Sequence, residues 1–214
     1  LVVARHLYNM GVAVKVFLLA EKDYTDSARV NLQILEKMAV KLYRIDNENS
    51  LHLFKATLNY TDIVIDAILG TGVNRPVSAT VAQVLGIINK RSCYKVAVDL
   101  PTGLNADNGE IWGSVLKADY TLTLALPKRG LLQNEGLEAS GEIICVDIGI
   151  PQAVVDAENV GCTLLGRDYL QSVLRPRERD SHKGRYGHLL TIGGSMGMSG
   201  SIALTNNGAL RSGA

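Results

Sequence analysis

Along the chain, short apolar runs of strand character alternate with segments whose apolar positions recur at helical spacing. The strand candidates are residues 12–19, 41–45, 62–69, 94–100, 120–126 and 142–148. Several are apolar nearly throughout, the pattern of strands covered on both faces in a parallel sheet. Between them Val30, Ile34 and Met38 recur every four residues, and Val81, Val84, Leu85 and Ile88 follow the i, i+3, i+4, i+7 template of a half-buried helix. Asp26 and Ser78 stand where the N-caps of these two helices belong. Such alternation predicts an α/β domain, a mainly parallel sheet between two helical layers.

From about residue 151 to 167 the rhythm is lost. A short helical segment at 168–174 then runs into Arg175-Pro176-Arg177-Glu178-Arg179-Asp180, a charged, Pro-containing passage with the character of a linker. A new strand is expected at 188–192, followed by the glycine-rich stretch 193–200 and a helix at 201–210. The pattern divides the chain into a first domain at 1–155, a linker at 156–180 and the beginning of a second α/β domain at 181–214, too short to bury its own core. Leu1 falls inside the amphipathic run Leu1-Val2-Val3-Ala4-Arg5-His6-Leu7, so the chain reads as a fragment that starts within a helix.

Composition narrows the function classes. The 214 residues carry 22 Lys+Arg against 21 Asp+Glu, a net charge of +1, and 47% are apolar. A balance so near neutrality, with no block of like charges, argues against a nucleic-acid partner held by a basic field. No apolar run approaches the roughly 20 residues a membrane span needs. The apolar content also excludes disorder. Three widely spaced cysteines, Cys93, Cys145 and Cys162, suit neither a disulfide framework nor a zinc site and point to a reducing, cytoplasmic setting.

In an open parallel sheet, ligands lie beyond the carboxyl ends of the strands, which directs attention to three loops. The first runs Asp66-Ala67-Ile68-Leu69-Gly70-Thr71-Gly72-Val73-Asn74-Arg75-Pro76. Asp66 closes an apolar strand, where an ionised carboxylate is expensive unless donors or a cation offset it. Gly70-Thr71-Gly72 gives a permissive backbone for close approach to an anion or nucleotide, with Arg75 as a phosphate partner, though a plain tight turn uses the same residues. The second loop, Asp99-Leu100-Pro101-Thr102-Gly103, repeats the strand-end acid and adds a hydroxyl. If the two strands are neighbours, Asp66, Asp99 and Thr102 converge, and an all-oxygen set suits a hard cation or ligand hydroxyls. Asp107-Asn108-Gly109 reads as a turn, and Asp147 as a turn or pairing residue. The third loop, Pro127-Lys128-Arg129-Gly130, offers cations that either meet phosphate or face solvent.

Taken in order, these segments resemble the bifunctional NAD(P)HX repair enzyme family, in which an epimerase domain precedes an ADP- or ATP-dependent dehydratase domain. The resemblance rests on Asp66 to Gly72, Val98 to Gly109, Pro127 to Gly130 and Asp147 to Pro151. Ser181 to Gly187, Gly193-Gly194-Ser195 and Arg211 to Ala214 are similar to the opening of the dehydratase. It implies a Rossmann-like first domain and a truncated ribokinase-like second one. It also implies a small-molecule substrate, the hydrate of NADH or NADPH, whose R and S forms the epimerase interconverts while the dehydratase restores the S form. Carried over by motif, Asp66 and Thr102 hold a potassium ion, Gly70, Thr71, Gly72, Val73, Asn74, Arg75 and Pro76 form a substrate-binding loop, and Asp99 contacts the nucleotide; a carboxylate so placed is then expected to act as general acid/base near the hydrated ring carbon. ADP or ATP with magnesium would serve the second domain. Two departures stand out. The family's Asn-Asn-Gly-Gly-Asp-Gly loop is expected immediately before Leu1, and Ser201 occupies a position where Ala is usual. The fragment is therefore expected to be inactive in dehydration and impaired in epimerisation.

Two rival readings remain. A dinucleotide-binding oxidoreductase wants Gly-x-Gly-x-x-Gly after its first strand, where this chain has Ala20-Glu21-Lys22-Asp23-Tyr24. A non-catalytic module of the same fold, of the kind that serves as a scaffold, has no need of Asp66, Asp99 and Thr102. The oligomeric state is not fixed by the sequence, a homo-oligomer being compatible with it.

Overall fold

A computed structural model describes residues 1–19, 24–72, 75–158, 160–174 and 176–213. It divides into two compact units, Leu1–Ala157 and Glu158–Ala214. In the first, helix α1 (Val2–Asn9) leads to strand β1 (Lys15–Leu18), α2 (Asp26–Lys37), β2 (Lys41–Arg44), α3 (Glu48–Leu58), β3 (Ile63–Asp66), α4 (Ala79–Asn89), β4 (Tyr94–Val98) and β5 (Tyr120–Leu124). A 3-10 turn at Arg129–Leu132, a one-turn helix α5 (Gly136–Ala139), β6 (Glu142–Val146) and α6 (Gln152–Ala157) complete the unit. All pairings between these strands are parallel. The six expected strands are all present, each shortened to four or five residues, and they form two sheets, β1-β2 and β3-β4-β5-β6.

Helix α4 follows its sequence pattern: Val81, Val84, Leu85 and Ile88 are all buried, and Ser78 caps it by accepting from the Val81 N–H at 3.3 Å. Burial of each such side chain is worth about 1.5–3 kcal/mol, so truncating the fully enclosed Leu85 to Ala would cost about 2–5 kcal/mol. Helix α2 departs from expectation. Its cap is Thr25, whose hydroxyl accepts from the Ala28 N–H, and Asp26 is the first helical residue. Its buried face is centred on Leu32 and Leu35, while Val30 is exposed, because i, i+3 neighbours define the stripe that meets the core better than a strict four-residue repeat. Helix α3 starts in a reciprocal cap. Asn47 accepts from the Ser50 N–H at 2.9 Å, and Ser50 accepts from the Asn47 N–H at 3.1 Å.

The main core gathers Leu51, Phe54 and Leu58 of α3, the inner face of α4, and Ala97, with Phe17, Val64 and Ile68 packed against it. Phe17 meets the Phe54 ring edge-on and stacks on Tyr43. A second cluster, Leu100, Leu104, Val115, Leu131 and Ala139, seals the loops beyond β4 and β5. The opposite face of the four-stranded sheet is not covered as the apolar strands suggested. Ile63, Ile65, Tyr94 and Ile144, which the register sets on one side, are 56%, 38%, 61% and 41% exposed. The buried clusters occupy the alternate residues, so the apolar content of these strands exceeds what this unit encloses.

Strands β4 and β5 end alike. The Leu100 N–H donates to the Val98 carbonyl across Asp99 (φ 72°), and the Leu126 N–H donates to the Leu124 carbonyl across Ala125 (φ 64°). These are γ-turns with a left-handed central residue, a rare and strained form costing of order 1–3 kcal/mol for a residue with a Cβ.

The second unit contains α7 (Arg167–Val173), a 3-10 turn at Lys183–Arg185 and α8 (Gly200–Ser212). The Arg177 guanidinium lies 4.0 Å over the Tyr186 ring and bonds the Gly213 carbonyl. The strand expected at 188–192 does not form; the segment is irregular, and Leu190 and Ile192 are exposed. Its backbone finds no neighbouring strand among the described residues of this unit, and a lone strand cannot satisfy its own hydrogen bonds.

Candidate functional site

Asp66 is the last residue of β3, paired in register with Ala97 of β4, and only 2% exposed. Three donors converge on it. The Thr102 hydroxyl donates to Oδ1 at 2.7 Å, the Ile68 N–H reaches the same oxygen at 3.2 Å, and the Thr102 N–H donates to Oδ2 at 2.8 Å. Burial nevertheless pushes the Asp66 carboxyl above its ordinary value, outweighing the opposing pull of the Thr102 N–H, the Thr102 hydroxyl and the Ile68 N–H. Thr102 is itself fully buried and accepts from the Leu69 N–H at 3.1 Å, so it ties the first loop to the second. Its neighbour Gly103 (φ +94°) sits so close to the returning chain that a Cβ there would lie 1.8 Å from the Ser114 carbonyl oxygen.

Asp99 immediately follows Val98, the last residue of β4, and is the centre of the first γ-turn. Its Oδ1 accepts from the Leu124 N–H at 3.1 Å and from the Lys128 ammonium. Oδ2 receives no hydrogen bond among the described residues. The three oxygen-bearing residues thus sort into two groups: Asp66 with Thr102, and Asp99 with the β5 end. The sequence placed them together but did not foresee Asp99 turning toward β5. It also left Lys128 undecided between phosphate and solvent; its position just after a strand end was the available signal.

The other expected residues fall as follows. Gly70, Thr71, Gly72, Arg75 and Pro76 are exposed, adjoining the Asp66–Thr102 clamp through Leu69, while Val73 and Asn74 lie outside the described residues. Asp107-Asn108-Gly109 is a turn in which the Asn105 side chain accepts from the Asp107 and Asn108 N–H groups. It is held to the third loop by Gly130 N–H donating to Ala106 and by Asn134 donating to Asn108. Asp147 caps its own turn by accepting from the Gly149 N–H at 2.8 Å. A shallow cleft of about 610 Å³ elsewhere, lined by Leu18, Arg44, Asp46 and Asn47 among others, contains none of these residues. No helix among the described residues is long and apolar enough to cross a membrane.

A parallel α/β sheet with carboxylates fixed at the ends of adjacent strands, and a glycine-bearing loop beside them, defines the class of α/β domains that present a small-molecule site at the carboxyl edge. Comparison with known proteins narrows the class. The chain belongs to the family described as YjeF-related protein N-terminus, which its residues 1–130 match. It is 45% identical, over its whole length, to the bifunctional NAD(P)H-hydrate repair enzyme Nnr of Moorella thermoacetica, and 35% identical to the enzyme of that name from Thermofilum pendens. The chain spans 41% and 40% of those two proteins. Among solved structures, yeast ynu0, YNL200c, superposes with a TM-score of 0.56 at 21% identity, covering 84% of this chain and 68% of that one, a likeness of fold.

Proposed function

We propose that the first unit interconverts the R and S forms of hydrated NADH and NADPH, and that residues 181–214 open an ADP- or ATP-dependent dehydratase. The observation that carries the first part is Asp99: a carboxylate fixed through one oxygen, with the other left for a ligand, beside the clamped Asp66. Held in this way, Asp99 would take the hydroxyl proton of the hydrated ring carbon. That carbon's bond to the ring nitrogen then breaks with its electron pair going to nitrogen, which receives the proton, and the resulting aldehyde recloses on its other face. The glycine-bearing loop 70–76 would orient the nucleotide.

The donors present suit an alkali cation. Asp66 offers a buried carboxylate that no ion pair neutralises among the described residues, and the Thr102 hydroxyl oxygen stands against it. Asp66 and Thr102 would hold a potassium ion, which when bound supplies a fixed positive charge at the strand ends. For ADP or ATP with magnesium, the described residues hold no cluster of three His, Cys, Asp or Glu side chains suited to a metal.

The identities of the Moorella and Thermofilum relatives support this reading over a scaffold role. The test is to incubate the chain with purified R-NADPHX, with potassium or with sodium, and follow the S form by chromatography. Faster equilibration than in buffer, greater in potassium, is expected; none in either salt overturns the epimerase reading.

A further inference from the structure

Resting on that reading, we infer that Lys128 is the positioning residue for Asp99: its ammonium fixes one carboxylate oxygen and both strand-end γ-turns, leaving the second oxygen to the substrate. A lysine ammonium has three N–H donors and no acceptor. All three are committed here, to Asp99 Oδ1, to the Leu124 carbonyl at 2.8 Å and to Thr123 Oγ1 at 3.3 Å. None is left on Lys128 for a phosphate.

The partners explain the arrangement. Asp99 is the centre of one γ-turn, and the Leu124 carbonyl is the acceptor that closes the other. Lys128 therefore joins two strained turns that no glycine eases. The Leu124 N–H completes the link by donating to the oxygen that Lys128 holds. Both side chains are about four-fifths buried, Lys128 at 20% and Asp99 at 19% exposure, so the pair is shielded from competing water. The loop carrying Lys128 is itself anchored, its Gly130 N–H donating to the Ala106 carbonyl at 2.7 Å. Lys128 acts through Asp99 and does not touch the reacting atoms.

The test compares Lys128→Met and Lys128→Arg with the wild-type chain by two independent readouts. In the epimerase assay, kcat of Lys128→Met is expected to fall at least about tenfold with KM changed less than about twofold, and Lys128→Arg to recover part of the loss. By amide hydrogen exchange, the Leu124 N–H is expected to lose protection in Lys128→Met and keep it in Lys128→Arg, while Leu85 in the core is unchanged. If Lys128→Met also exposes Leu85, Lys128→Gln, which keeps a donor without the charge, is read in its place. A wild-type chain that does not epimerise removes the functional reading alone, and the exchange of Leu124 then decides the positioning role. Wild-type kcat in an active Lys128→Met, or wild-type protection at Leu124, overturns the inference.

Discussion

Thr102 holds both oxygens of the Asp66 carboxylate, its hydroxyl on Oδ1 at 2.7 Å and its backbone N–H on Oδ2 at 2.8 Å. The two donors differ in what mutation can reach. Thr102→Val removes the hydroxyl and leaves the backbone bond, so it should destabilise the first unit by about 1–3 kcal/mol, and Thr102→Ser should restore most of that. Urea denaturation of the three proteins measures it; equal midpoints for Val and Thr would show that the hydroxyl bond adds nothing.

The raised Asp66 value has a definite consequence for stability. Between the ordinary carboxylate range and the raised native midpoint, the folded chain keeps a proton that the unfolded chain has released. The Asp66 contribution is thus fully favourable below the unfolded value and is lost as pH rises through that window. Asp66→Asn should flatten this part of the curve, though its amide puts a donor among donors and lowers stability at acid pH. Denaturant midpoints from pH 3 to 7 would show a slope in the wild type that the variant lacks.

A cation held by Asp66 and Thr102, as proposed, would oppose that loss. Potassium added at neutral pH should raise the thermal midpoint of the wild type more than sodium does, by ligand linkage. Asp66→Asn should show no difference between the two salts. Equal midpoints in the wild type would remove potassium from this position.

Asp99→Asn keeps the shape of the side chain and removes its capacity to accept a proton. Epimerisation should fall by about 10²–10⁴-fold, the usual worth of general acid–base catalysis, with the fold retained by circular dichroism. Undiminished turnover would take Asp99 out of the chemistry.

Gly103 is a steric requirement of the site. With φ at +94° and Ser114's carbonyl oxygen 1.8 Å from the place a Cβ would occupy, Gly103→Ala must displace the loop that carries Thr102. Loss of well over 1 kcal/mol is expected, against near-neutrality for Gly86→Ala, whose Cβ would meet nothing within 4 Å. Thermal melts of the two variants separate these cases.

Much of this was legible beforehand because periodicity and strand-end position are local signals. The α4 stripe, the Ser78 cap and the acids closing β3 and β4 all follow from a few neighbouring residues. What escaped depended on distant ones. The Asp99 carboxylate turns to β5 because Leu124 and Lys128 offer donors there, and nothing near residue 99 announces that. The cap of α2 moved from Asp26 to Thr25 since side chains one residue apart compete for the same orphan N–H groups. Covering of the sheet was overestimated because an apolar run records a tendency to be buried, whereas the burial itself needs a partner layer. The 188–192 strand failed for the same reason in its own unit.

The hydrogen bonds that make the site close loops of 25, 29, 33 and 36 residues. Contacts so distant along the chain bear a closure entropy that helices α3 and α4 do not, so they are expected to form after the sheet has found its register. A collapsed, partly ordered state would keep its helices and possess no site at all, which makes the site's own hydrogen bonds a stricter measure of completed folding than helix content.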